Sequence, residues 1–397
     1  MKFNLPDKII NGATSEIRDM MDRAATIPGC ISFGIGNPAP DAIPVAEIKE
    51  AIQDILDGDP MVILQYGPAI GYKPLIDLTI EHLVNDKGFD REGNALTLLN
   101  GSGHGLGLLP RTLCNEGDVV FADEFSFPNG VNGPRGVGCV VKAIPMDKYG
   151  MIPSALEKEA KKGGGKYIYL IPNFQNPTGL TIPLERRKEL YEIAVKYDLV
   201  IYEDDPYGEI RFAGENVPCF KNIDYDNRVI FAGSYSKVMS AGIRVGYLYG
   251  NSELINECQK LKASSDGQQA LLNQIIVYNT LKKVDYKPYI QNICDIYGKK
   301  CKIMVDAIEK YLPKEFTFVA PEGGMFLWLE TPECINQEEF FEKALENKVC
   351  IISSKGFATD INQNSGHAFR LNYTAVTDEN IVEGIKRLGE VCCGFVK

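Results

Sequence analysis

Short apolar runs of β type alternate with amphipathic stretches through the middle of the chain. Strands are predicted at residues 95–99, 118–122, 139–144, 166–171, 199–203, 228–232 and 245–249. Residues 184–197 carry a helical period: Leu190, Ile193, Ala194 and Tyr197 share one face, and the charged residues take the other. A glycine-rich turn and an apolar helix follow the 95–99 strand. This alternation predicts an α/β fold, with a mostly parallel seven-stranded sheet covered on both faces. Ligands in such sheets bind beyond the C-terminal ends of the strands. After about residue 290 the pattern changes to helices at 299–311 and 337–347 and strands at 326–330, 349–352 and 367–373. We therefore expect a large domain over 46–290, with 1–45 and 291–397 forming a smaller α+β domain. The segment before residue 45 has no strong period and is expected to pack against the smaller unit.

A chain of 397 residues is long enough for two domains. Its formal net charge of -11 argues against nucleic acid and gives no support for an anionic membrane surface. No apolar run reaches membrane-spanning length, and Met1–Asp7 has no hydrophobic signal region, so a cytoplasmic location is expected. Eleven cysteines are an odd number and show no Cys-x-x-Cys spacing; Cys392 and Cys393 are expected in a terminal helix. Three histidines with no His-x-x-x-His spacing predict no metal site.

The candidate chemistry lies just past the predicted strands. Ser234-Tyr235-Ser236-Lys237 and Arg244 offer two hydroxyls, an amine and a guanidinium. Hydroxyls with a guanidinium suit a phosphate, and a lysine beside a phosphate suits an imine with an aldehyde cofactor. Gly242 and Gly246 flank Arg244 and favour close backbone approach. Asn100-Gly101-Ser102-Gly103-His104 would expose N–H groups at a helix N-terminus, an anion site. It fits neither the dinucleotide fingerprint nor a P-loop. Asp204, three residues before Tyr207, suits a protonated pyridine nitrogen, although Glu203 and Asp205 leave open which acid faces inward. Asn176, in Asn-Pro-Thr-Gly, sits in a turn that would aim its amide at a ring hydroxyl. Phe127 would stack on the pyridine face, or fill the core. Arg370, in an apolar strand-like run, needs an anion: a substrate carboxylate or an internal acid.

Together these motifs resemble class I/II aminotransferases, the fold-type-I enzymes dependent on pyridoxal phosphate. The branch they look most like is that of 2-aminoadipate and aromatic aminotransferases. Ile31-Ser32-Phe33-Gly34, Leu64-Gln65-Tyr66-Gly67-Pro68 with Gly71-Tyr72, and Pro321–Trp328 add to the likeness, which spans about residues 30 to 375. The resemblance implies that Lys237 forms the Schiff base with pyridoxal 5'-phosphate and moves the Cα proton. Asp204 would pair with the ring nitrogen, Tyr207 and Asn176 with the ring hydroxyl, and Phe127 would stack on the ring. Ser102, Gly103, Ser234, Ser236 and Arg244 would hold the phosphate. The Gly36 backbone and Arg370 would take the carboxylate of an amino acid or 2-oxo acid. It also implies a homodimer in which Tyr66 reaches the neighbouring subunit's phosphate. Three positions depart from the pattern: Ala241 for proline, Gly103-His104 for a glutamine pair, and Phe127 for tyrosine or tryptophan.

The reaction implied is ping-pong amino transfer. A C–S β-lyase or a decarboxylase would use the same fold and carbanion. A non-enzymatic effector-binding domain is the remaining alternative. Tyr72 and the Gly34–Gly36 region suit a bulky or aromatic side chain. Arg23 would meet a distal carboxylate or, as we expect, lie exposed.

Overall fold

The structure, a computed structural model, describes residues 16–360, 362 and 366–396. Met1–Asp7 and the rest of the expected 1–45 segment before Glu16 lie outside the described residues. All seven predicted strands form, with ends shifted by one or two residues: β1 (Asn94–Leu99), β2 (Val119–Asp123), β3 (Val140–Ile144), β4 (Gly165–Leu170), β5 (Val200–Asp204), β6 (Val229–Ser234) and β7 (Gly246–Asn251). They make one sheet in the order β1-β7-β6-β5-β4-β2-β3. Only β7 runs against its neighbours, β1 and β6; the remaining pairs are parallel.

Side chains alternate across this sheet, as the pleat requires. Phe121, Ile168, Leu170 and Ile201 enter a core under the Leu184–Lys196 helix. Ala122, Tyr169, Tyr202 and Ala232 enter a second core. That core continues into the C-terminal unit through Phe326, Leu327, Phe369 and Leu371.

The C-terminal unit is built on a small antiparallel sheet of β8 (Phe326–Glu330), β9 (Ile352–Ser353) and β10 (Ala368–Asn372), in the order β8-β10-β9. Three expectations need correction here. The strand expected at 349–352 is two pieces: Val349–Cys350 pairs in parallel with Ile31–Ser32, and the chain then shifts sheets so that Ile352 pairs with Arg370. The helix expected at 299–311 starts at Tyr286 and runs to Tyr311. Pro288 lies in its first turn, where a missing N–H costs no helical bond. Finally, the charged residues of the 184–197 helix do not all face outward. Arg187 is fully buried, beneath carbonyl groups that its guanidinium satisfies.

Of the N-terminal segment, residues 31–33 bond to the C-terminal unit. Phe33 N donates to Cys350 O at 2.8 Å, and Asn372 N donates to Phe33 O at 2.7 Å. This strap carries Gly34 and Gly36 to the edge of β10. Cys392 and Cys393 lie in the Asp378–Phe395 helix. Among the described residues, no helix is long and apolar enough to cross a membrane.

The start of β7 lies hard against the turn after β1. A Cβ on Gly246 would sit 2.5 Å from Ser102 N and 2.8 Å from Gly101 C, both backbone atoms that cannot swing aside. Gly246→Ala is therefore expected to destabilise the protein by about 1–3 kcal/mol, the usual cost of overpacking, read as a lower urea midpoint. An unchanged midpoint would contradict this packing.

Candidate active site

Six strands run the same way and end on one edge of the sheet, and most of the candidate residues lie there. After β1, Gly101 adopts φ 74°, a conformation that suits glycine. A Cβ at this position would overlap the Arg244 guanidinium. Ser102 and Gly103 open the Ser102–Leu113 helix, whose first N–H groups have no helical partner. Arg244 has φ 55°, and its Nη1 donates to Ser236 Oγ and Ala241 O, both at 3.3 Å. Ser236 N donates to Ser234 Oγ at 3.1 Å. Gly246 makes the close approach expected of its neighbourhood, whereas Gly242 is exposed and nearly free of neighbours.

At the end of β5, strand parity separates the three acids. Glu203 turns to the helix side and accepts from Phe220 N at 2.8 Å and Lys221 N at 2.9 Å. Asp205 Oδ1 accepts from Asn173 Nδ2 at 3.0 Å. Asp204 shares the face of Tyr202, and its Oδ2 accepts from Tyr169 Oη at 2.9 Å. Its Oδ1 is buried and has no hydrogen-bond partner in the protein. Burial pushes the Asp204 carboxyl up to about 7; the Tyr169 hydroxyl opposes this and the Asp205 charge adds to it. Tyr207 is buried, its ring edge-on to Phe326 at 5.9 Å. Burial raises its hydroxyl's pKa, while Arg370 and the Asn176 amide favour the phenolate.

Asn176 and Arg370 meet across the two sheets. Arg370 Nη1 donates to Asn176 Oδ1 at 2.8 Å, and Nη2 donates to Gly34 O at 2.7 Å. Its buried Nε has no partner. The guanidinium lies 4.3 Å from the Phe326 ring centre and 4.7 Å from that of Phe357. Burial lowers its pKa to about 10. Lys237 follows β6, and its Nζ donates to Gly36 O at 2.7 Å. Burial, with the charges of Arg370 and Arg244, lowers the Lys237 amine to about 8. Lys237, Arg244 and Arg370 thus lie within electrostatic reach, yet none forms an ion pair among the described residues.

The remaining candidates are placed differently. Phe127 caps the Pro128–Arg135 helix, half-buried against the main core. Tyr66 is 96% exposed. His104 turns toward the Asn100 backbone, with Asn100 N 3.5 Å from its Nδ1. Ala241 starts a single 3-10 turn ending at Ile243. The Tyr72 ring packs edge-on to Tyr278 at 5.6 Å. Arg23 is half-exposed and paired with Glu342. No three His, Cys, Asp or Glu side chains converge as metal ligands among the described residues.

Sequence reasoning missed Tyr169. Its partnership with Asp204 depends on the register that sets Tyr169 beside Tyr202, and a single chain's pattern does not specify register. A smaller signal was present in Gly130, where any Cβ would overlap the Tyr169 ring.

The family model for aminotransferase class I and II matches residues 28–388. The aromatic-amino-acid aminotransferase 1 of Thermococcus litoralis is 32% identical, over 97% of this chain and 93% of its own length. The 2-aminoadipate transaminase of Thermus thermophilus is 32% identical, over 96% of this chain and 94% of its own. The crystal structure of Pyrococcus horikoshii kynurenine aminotransferase, in complex with PMP, aligns with a TM-score of 0.94 at 29% identity, covering 99% of this chain and 98% of that one. The fold, the matched span and these relatives agree: the chain belongs to the aminotransferase class I and II family, enzymes of fold type I that depend on pyridoxal 5'-phosphate.

Proposed function

We propose that this aminotransferase takes its amino group from an L-amino acid with a bulky, aromatic side chain, and that Lys237 is the amine that carries the cofactor. The observation behind this reading is the group of three cations, Lys237, Arg244 and Arg370, left without a carboxylate. Such a group calls for anions from outside the protein. A cofactor phosphate at Arg244 and a substrate carboxylate at Arg370 supply them. The unpartnered Asp204 Oδ1 suits the one further cation the cofactor brings, a protonated ring nitrogen, which would also draw the Asp204 pKa back down.

When bound, pyridoxal phosphate supplies an aldehyde that condenses with amines and a ring that delocalises the electron pair left when the Cα–H bond breaks. The protein's own groups do the rest. Ser102, Gly103, Ser234, Ser236 and Arg244 hold the phosphate by N–H, hydroxyl and guanidinium donors. Asp204 keeps the ring nitrogen protonated, and Tyr169 orients that carboxylate. Asn176 and Tyr207 would meet the ring hydroxyl, and Phe127 would cover a ring face. Arg370, steadied by Asn176 and Gly34, offers its free Nε to the carboxylate, beside the Gly36 backbone. Lys237 Nζ would hold the aldehyde carbon and, once free, would act as the base that takes the proton from the substrate Cα and as the acid that gives it to the carbon accepting it in the transfer.

The aromatic preference rests on the walls of the carboxylate site. Phe326 and Phe357 flank Arg370, and Trp328 joins Phe357 to Phe125. Arg23, the candidate for a distal carboxylate, is committed to Glu342. The two relatives described above are named for amino transfer, which favours that reaction over C–S cleavage. Val45, Leu56, Met61, Val62, Leu64 and Tyr66 form an exposed apolar stretch, which supports a homodimer with Tyr66 reaching the other subunit's phosphate. Eleven unpaired cysteines support a reducing, cytoplasmic setting. A larger unit at 46–290 and a smaller one from 1–45 with 291–397 complete the proposal.

Three measurements test it. With 2-oxoglutarate as acceptor, phenylalanine, tyrosine or kynurenine should exceed 2-aminoadipate in kcat/KM by at least about tenfold, roughly 1.4 kcal/mol of transition-state preference; the reverse order would overturn the substrate reading. Capture of pyridoxal phosphate by the cofactor-free protein needs neutral Lys237. Its rate should fall about tenfold per pH unit below about 8 and level off above it; a flat rate between pH 6 and 8 would contradict the amine's assignment. In sedimentation, the wild-type chain should run as a dimer and Leu64→Lys should shift it toward monomer; a monomeric wild type would remove Tyr66 from the site.

A further inference from the structure

Arg187 touches none of the groups assigned to the cofactor, yet it is among the largest fully buried side chains. It forms no ion pair among the described residues. Each donor meets a neutral acceptor instead: Nε donates to Ile182 O at 2.8 Å, Nη1 to Pro218 O at 2.9 Å, and Nη2 to Pro172 O at 3.1 Å and Asn173 Oδ1 at 2.6 Å. The planar fork thereby joins three separate stretches of chain, a geometry lysine cannot reproduce. The nearby charges of Glu203 and Asp205 offset part of its desolvation.

The bond to Asn173 leads further. Because Asn173 Oδ1 accepts from Arg187, its Nδ2 must point the other way, and there it donates to Asp205 Oδ1 at 3.0 Å. Asn173 lies three residues before Asn176, and Asp205 lies between Asp204 and Tyr207. Lys87 Nζ stands 4.0 Å from Asp205 Oδ2, behind the same segment. One hydrogen-bonded chain therefore ties the loop bearing Asn176 to the segment bearing Asp204 and Tyr207.

We propose that Arg187 is a positioning residue which, through Asn173 and Asp205, sets the spacing of these two segments across the cofactor ring. This rests on the reading that Asn176, Asp204 and Tyr207 face that ring. The alternative is an arginine that only stabilises the core.

The test uses Asn173→Ala, which cuts the chain but leaves Arg187 its three backbone acceptors, with Asp205→Asn, which keeps an acceptor for Asn173, and Asp204→Asn as a control on the site. Amide hydrogen exchange of the cofactor-free protein should be at least about tenfold faster in 172–179 and 204–211 for Asn173→Ala, and near wild type for Asp205→Asn. The pH midpoint of the bound cofactor's absorbance should move by about half a unit or more in Asn173→Ala. Exchange and midpoint both unchanged, with only a lower denaturation midpoint, would overturn the proposal and leave Arg187 a core residue. If Asp204→Asn moves the absorbance midpoint while Asn173→Ala does not, the positioning role alone fails. If Asp204→Asn leaves it unmoved, the ring-facing assignment fails, and the positioning role with it.

Discussion

Like charges held together without counterions repel, and burial strengthens the repulsion. Arg370 is buried and Lys237 half-buried, and the exposed Arg244 lies within electrostatic reach of the amine. Burial first, and then the two guanidinium groups, lower the amine's pKa to about 8. Arg370 feels its own burial, and its pKa falls to about 10. The fold tolerates this arrangement because each cation is tethered by neutral acceptors: Gly36 O, Gly34 O, Asn176 Oδ1, Ser236 Oγ and Ala241 O. What remains is a group of cations with no ion pair among the described residues, which under the proposed function a phosphate and a carboxylate would complete.

The architecture explains how so many cations can be positioned together. β5 and β6 end side by side and β1 ends on the same edge across β7, so residues far apart in sequence converge. The second sheet is needed for the other half. β10 supplies Arg370, and the N-terminal strap supplies Gly34 and Gly36, held by Cys350 and Asn372. The site therefore depends on both units and on a core that passes between them.

Much of this was readable before the structure. The seven strands are short, apolar runs, and a sheet buried on both faces leaves that plain mark. The candidate residues stand out in the sequence because they follow those runs at fixed spacings: Ser234, Ser236, Lys237 and Arg244 after one strand, Asp204 and Tyr207 after another. What stayed hidden depends on register or on distant carbonyl groups. Tyr169 meets Asp204 only through the pairing of β4 with β5. Arg187 looks like a surface charge on an amphipathic helix until Pro172, Ile182 and Pro218 close around it. The split at Ile351 is invisible because both halves are equally apolar, and the long Tyr286–Tyr311 helix is masked by Pro288 in its first turn.

The most direct test of the account is where the cofactor is covalently attached. The holoprotein would be reduced with borohydride, digested and sequenced by mass spectrometry. A single phosphopyridoxyl modification is expected on the peptide containing Ser236-Lys237-Val238, absent from Lys237→Ala. Modification at any other lysine, or none at all in protein that carries the cofactor, would contradict it.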